Sequence, residues 1–150
     1  MRFVLLLVLA CLCSAFTPTN ELRKGVMIVE FDHLIADNGI VEVSLYNNDQ
    51  KFLEAGGSSF KKRQKVVNGK VSVVFDNIPY GDYAAVSYHD INENSEIDRN
   101  FVGIPKEPVA VSRLTEKRYA KPRFKEAKID FNQPKMLVKM VFVRYWQVIE

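Results

Sequence analysis

Cysteine is almost missing from this chain of 150 residues, and the two present, Cys11 and Cys13, both fall in its first apolar stretch. Histidine is equally scarce, with only His33 and His89. Glycine (7) and proline (6) are too few for a collagen-like or low-complexity chain. Charge of one sign is lacking too, because 21 basic and 18 acidic side chains leave a net +3. A disordered polyelectrolyte is therefore excluded, and no nucleic-acid partner is expected. The chain has no GxSxG, HExxH or phosphate-cradling glycine loop, so the common hydrolase, zinc-peptidase and nucleotide chemistries have no motif to build on.

What is present begins with a leader. Arg2 is followed by an unbroken apolar run over residues 3–13 and then by the small triplet Cys13-Ser14-Ala15. This pattern predicts a secretory signal peptide, residues 1–15, and a single exported domain, residues 16–150, in the periplasm or outside the cell. The run is well short of the roughly 20 apolar residues of a membrane span, so the mature form is expected to have none. Val8-Leu9-Ala10-Cys11 offers an alternative, a bacterial lipobox that would anchor the protein through Cys11. Cleavage at Ala15 removes both cysteines, leaving no disulfide, no thiol nucleophile and no Cys-ligated metal.

Beyond the leader, apolar residues alternate with polar ones in runs at residues 26–31, 40–46, 71–75, 83–89, 127–131 and 136–146. All are rich in Val, Ile, Phe and Tyr and are bounded by Asn, Gly, Asp or Pro, which predicts strands joined by tight turns. The expected fold is all-β, a single antiparallel sandwich of immunoglobulin-like or transthyretin-like type with about seven strands. Only residues 51–64 or 108–121 leave room for a short helix. The last run is apolar on both faces, which predicts a central strand.

Charge is unevenly spread. Residues 76–98 contain Asp76, Asp82, Asp90, Glu93, Glu96 and Asp98 but no Lys or Arg, whereas Lys61, Lys62, Arg63 and Lys65 form a basic patch. Within the acidic window, Asp90, Asn92, Asn94, Glu96 and Asp98 place oxygens at alternate positions, as a tight loop does to turn hard ligands onto Ca²⁺. In an EF-hand-type numbering Asp90, Asn92 and Asn94 give side-chain oxygens, Glu96 its carbonyl, and Asp98 a carboxylate directly or through water. Ser95 stands where glycine usually permits the turn, and Phe101 where the bidentate Glu belongs; Glu107 is the nearest replacement ligand. Such a loop predicts weak Ca²⁺ affinity. A second reading is an Asx-rich turn whose side chains bond their own backbone without metal.

The run Ile78-Pro79-Tyr80-Gly81-Asp82-Tyr83-Ala84, the acidic loop after it, and Phe101-Val102-Gly103-Ile104-Pro105-Lys106-Glu107 together resemble the bacterial domain of unknown function family 2141. The resemblance implies an exported, transthyretin-like or carboxypeptidase-regulatory-like β-sandwich with no established activity. The chain departs from the family pattern at Ser95 and at residues 108–112, where Pro-Val-Ala-Val-Ser replaces a Gly-Tyr-Gly-Phe-Ser stretch.

These readings predict a non-catalytic binding or envelope-associated module that contacts a glycan, peptide or protein, with Tyr80, Tyr88 and Trp146 as an exposed aromatic cluster near the loop. Phe101, Ile104 and Pro105 are expected to pin the far end of the loop to the core. The alternatives are a purely structural envelope protein and a metal-dependent hydrolase built on His89, Asp90 and Glu107. Transthyretin-like folds include a hydrolase with a C-terminal Tyr-Arg-Gly-Ser motif, which Arg144-Tyr145-Trp146-Gln147 does not match. No catalytic residue is assigned.

Overall fold

The computed structural model describes residues 22–32, 34–116 and 120–144. The expected leader with Cys11, and His33, Tyr145 and Trp146, lie outside these residues. Eight strands follow one another: β1 (Lys24–Asp32), β2 (Ile40–Tyr46), β3 (Phe60–Lys65), β4 (Val71–Pro79), β5 (Gly81–Asp90), β6 (Val109–Val111), β7 (Lys128–Phe131) and β8 (Lys135–Val141). A 3₁₀ turn at Asp49–Lys51 and a one-turn helix α1 (Phe124–Ala127) complete the described elements.

The strands form two sheets, one ordered β4-β1-β8 and the other β3-β2-β5-β6, with β7 also on β5. Alternation along each strand turns one side-chain set into the space between the sheets. Met27, Val29 and Phe31 of β1 and Val73 and Phe75 of β4 meet Val41, Val43 and Leu45 of β2 and Tyr83 and Ala85 of β5 in one buried cluster. The architecture is thus the expected all-β sandwich, with eight strands rather than about seven.

Two strands escaped the sequence pattern. β3, Phe-Lys-Lys-Arg-Gln-Lys, is almost wholly charged, and it pairs with β2 over Leu45↔Phe60 to Ile40↔Lys65 at a sheet edge, where charged side chains discourage further pairing. β6 is only three residues long. The stretches with room for a helix hold β3 and β6 instead, and α1 falls just beyond the second.

β8 also differs from expectation, for it is an edge strand and not a central one. It runs parallel to β1, from Val26↔Lys135 to Asp32↔Val141, so the sandwich is not wholly antiparallel. Leu137 and Val141 are 50% and 40% exposed on its outer face, where Lys135 and Lys139 alternate with them. The apolar run at residues 136–146 conceals an edge because Lys139, on the same face as Leu137 and Val141, is outnumbered by the apolar residues around it.

The turn from β7 into β8 presses on the start of β1. A Cβ added at Gly25 would lie 2.7 Å from the Pro134 carbonyl oxygen, 2.8 Å from that of Gln133 and 2.9 Å from Phe131 Cζ. Two of these neighbours are backbone and the third is a fully buried ring, so none yields easily. Gly25→Ala is expected to lower stability by about 1–3 kcal/mol, read as a reduced denaturant midpoint with unchanged slope.

Candidate functional site

Strand alternation sorts the end of β5 into two environments. Tyr83 and Ala85 face the inter-sheet core, and His89 follows at the same spacing, its ring 5.7 Å from that of Phe142. Asp90, one residue on, projects to the outer face. His89 is fully buried, with Nε2 2.7 Å from the Asn38 carbonyl oxygen and Nδ1 without a partner among the described residues. A hydrolytic site combining His89 with Asp90 is therefore not assembled, because adjacent strand residues point to opposite sides of the sheet.

Asp90 organises the loop that follows it. Its wholly buried carboxylate accepts the Asn94 N–H at 3.0 Å and the Ser95 N–H at 2.9 Å, and pairs with the Arg63 guanidinium from β3. Arg63 also approaches Glu42 of β2 at 3.9 Å, where Lys61 makes a closer pair at 2.9 Å. Glu107, 6% exposed, accepts the Ile91 N–H at 3.1 Å and the Asp98 N–H at 3.3 Å. Two buried carboxylates thus hold four loop N–H groups, those of Ile91, Asn94, Ser95 and Asp98. Burial pushes the Glu107 carboxyl above its ordinary range; the two N–H donors oppose that rise, and the nearby Asp90 and Asp98 add to it.

The other predicted ligands sit on the exposed side. Asn92 Nδ2 donates to Asp98 Oδ2 at 2.9 Å, and Asn94 Nδ2 to Asp98 Oδ1 at 3.2 Å. The amide oxygens of Asn92 and Asn94 accept the N–H groups of Asn94 and Glu96, two residues on in each case. These are Asx turns, the second of the two sequence readings. Asn92, Asn94 and Asp98 converge, while Asp90 and Glu107 are occupied with backbone. No group of three His, Cys, Asp or Glu side chains is placed to hold a metal ion among the described residues.

Ser95 has φ +70°, the left-handed conformation that glycine would adopt without cost. Tyr88 braces this turn, its hydroxyl 3.3 Å from both the Ser95 carbonyl and Glu42 Oε2. Burial, with Glu42 beside it, pushes the Tyr88 phenol up to about 12.

The far end of the loop is built differently from expectation. Asn100 Oδ1 accepts the N–H groups of Val102 and Ile104, forming a turn that leaves Phe101 93% exposed. Phe101 therefore does not pin the loop; Ile104 and Pro105 are half-buried and line a cleft with Val86, Val109 and Val111 of the sheet. Nor do Tyr80 and Tyr88 come together. Tyr80, just before β5, packs edge-on against Phe131 at 5.4 Å, whereas Tyr88 lies near the strand's other end.

Beside the loop, on the outer face of the larger sheet, lies a cleft of about 570 Å³ floored by Val86, Val109 and Val111 and walled by Ile97 and Ile104. Sequence reasoning missed it and also missed the role of Arg63. The outward positions of residues 83–89 carried the signal for the first, and the basic patch at 61–65 carried it for the second.

The family profile described as an uncharacterized protein conserved in bacteria, DUF2141, matches residues 29–139. The chain belongs to this family. The DUF2141 match spans the whole loop from Asp90 to Glu107 together with Arg63 and the cleft floor. No curated protein and no solved structure gives a significant match. No helix among the described residues is long and apolar enough to cross a membrane.

Ser95→Gly is expected to raise stability by about 1 kcal/mol by relieving the left-handed backbone, measured by denaturant unfolding. Glu107 adds a pH dependence of known sign. Its folded-state value lies above the ordinary 4.5, so the native protein retains that proton to higher pH than the unfolded chain does. The group's contribution is most favourable below 4.5 and falls as pH rises through the raised value. Glu107→Gln, which cannot titrate and keeps one acceptor, should be less stable than the parent by about 1 kcal/mol in acid. Unfolding across the acid-to-neutral range should show that deficit shrinking as pH rises.

Proposed function

We propose that this DUF2141 protein is an exported, non-catalytic binding module of the bacterial envelope whose working part is the loop from Asp90 to Glu107. The observation that carries the reading is the construction of that loop: two buried carboxylates fix its backbone from beneath, while its outer surface borders an open cleft. Such a loop presents a fixed shape on a rigid sandwich, the usual arrangement of a recognition surface. The burial of His89 and its separation from Asp90 favour binding over hydrolysis. Export rests on the leader over residues 1–15, with cleavage after Ala15.

Calcium enters this reading as a weak additional staple. Asp98, the amide oxygens of Asn92 and Asn94, and the Glu96 carbonyl supply the oxygen chemistry that Ca²⁺ requires. Asp90 and Glu107 shape the loop around them. An entering ion must displace the amide-to-Asp98 hydrogen bonds, and that competition supports an affinity at the weak end of the range.

The test is mass spectrometry and thermal unfolding of the exported protein, in EDTA and with Ca²⁺ or Mg²⁺, beside Asp98→Ala. The expected mature N-terminus is Phe16, and a lipid-modified Cys11 would replace simple cleavage by anchoring. A site with Kd of about 1 mM gains about 1.4 kcal/mol in about 10 mM Ca²⁺. A rise in Tm with Ca²⁺ that disappears in Asp98→Ala supports the staple. Superimposable transitions in EDTA and both ions remove calcium from the account, and an uncleaved leader removes export.

A further inference from the structure

The chain covers the outer face of its larger sheet unevenly. At one end Phe52 and Phe124 pack over Tyr46 and Ala84, with ring centroids 5.5 Å apart for Tyr46 and Phe52 and 5.8 Å for Phe52 and Phe124. Val86 and its cross-strand partner Val111 pack against this cluster but stay only half-buried, and their open side floors the cleft. Apolar surface left facing water forgoes the gain of burial, so an apolar occupant is favoured there. The volume, about 570 Å³, lies in the range of sites for small molecules.

Charge at the rim narrows the occupant. Among the described lining residues only Arg99 and Lys121 are charged, and both are positive. Arg99 donates through Nη1 to the Gly103 carbonyl at 2.9 Å, which fixes its guanidinium at the loop while other N–H groups of the fork remain for a ligand. Lys121 lies 3.8 Å from Glu54, and both side chains are about two-thirds exposed, a weak pair that a ligand anion can replace.

Two other occupants fit less well. Among the described residues no aromatic side chain lines the cleft to offer a sugar ring a stacking platform. A peptide adding a strand to β6 meets an edge already in use, because Val109 exchanges both of its backbone hydrogen bonds with Val143.

We propose that this cleft binds a small anionic amphiphile of the fatty-acid type, its aliphatic chain on Val86 and Val111 between Ile97 and Ile104, and its carboxylate between Arg99 and Lys121. The proposal rests on reading the chain as a binding module and assigns the chemical class of its ligand.

The experiment is amide NMR titration of the exported protein with sodium octanoate, 1-octanol and acetate. Octanoate should give saturable shifts at Val86, Ile104 and Val111, with octanol weaker and acetate without effect. The double variant Arg99→Gln, Lys121→Gln removes both rim charges, with the exposed Arg99–Gly103 hydrogen bond; it should weaken octanoate by about five-fold or more and leave octanol unchanged within about two-fold. Val86→Trp should abolish binding of both. If that variant does not fold, the charge variant still decides the matter. Equal affinity for octanoate and octanol, shifts confined to other surfaces, or no saturable shift at Val86 and Val111 overturns the proposal. Those results leave the calcium and leader measurements untouched, so failure here is distinct from failure of the binding-module reading.

Discussion

A carboxylate sealed from water at the end of β5 sets the conditions for everything around it. Asp90 is wholly buried, and a buried ionised group must be matched by opposite charge and hydrogen-bond donors. Arg63 supplies the charge, and the N–H groups of Asn94 and Ser95 supply the donors. To bring Arg63 there, a strongly charged segment must lie in register on β2, with Arg63 opposite Glu42 and two strands from Tyr88. To bring both N–H groups there, the chain must curl back within five residues of Asp90, and this places Ser95 in a conformation that its side chain disfavours. The loop's shape follows from satisfying one group.

Glu107 repeats the backbone half of the solution at the loop's other end, accepting two N–H groups, so the segment between the two carboxylates is held as a unit. The turn around Asn100 closes its tip and carries Ile104 and Pro105 toward the sheet. One wall of the cleft is thereby supported by hydrogen bonds made beneath it. The opposite side comes from a different part of the chain, where Leu53 follows the 3₁₀ turn and Pro122 precedes α1.

Much of this was legible beforehand. The alternating runs located six strands, and the bounds of β2 were met at both ends. The acidic loop stood out because oxygen-bearing side chains at alternate positions are conspicuous whether they hold an ion or their own backbone. Sequence periodicity cannot separate those uses, since Asx turns and metal loops need the same side chains. β3 stayed hidden because its stabilisation comes from pairing with β2 and from ion pairs to Glu42 and Asp90, not from apolar alternation. The exposure of Phe101 has a related reason. Hydrophobicity says that a side chain gains from burial, but the backbone turn at Asn100 decides whether Phe101 is aimed at the core.

The parallel pairing of β1 with β8 joins the first described strand to the last, more than a hundred positions apart along the chain. Until β8 has left the ribosome, β1 has only β4 beside it, and Val138 and Met140 are missing from the space between the sheets. A nascent chain of this topology has no finished core to close around. Its cooperative folding is deferred until β8 has emerged, which leaves the segments before it threadable until then.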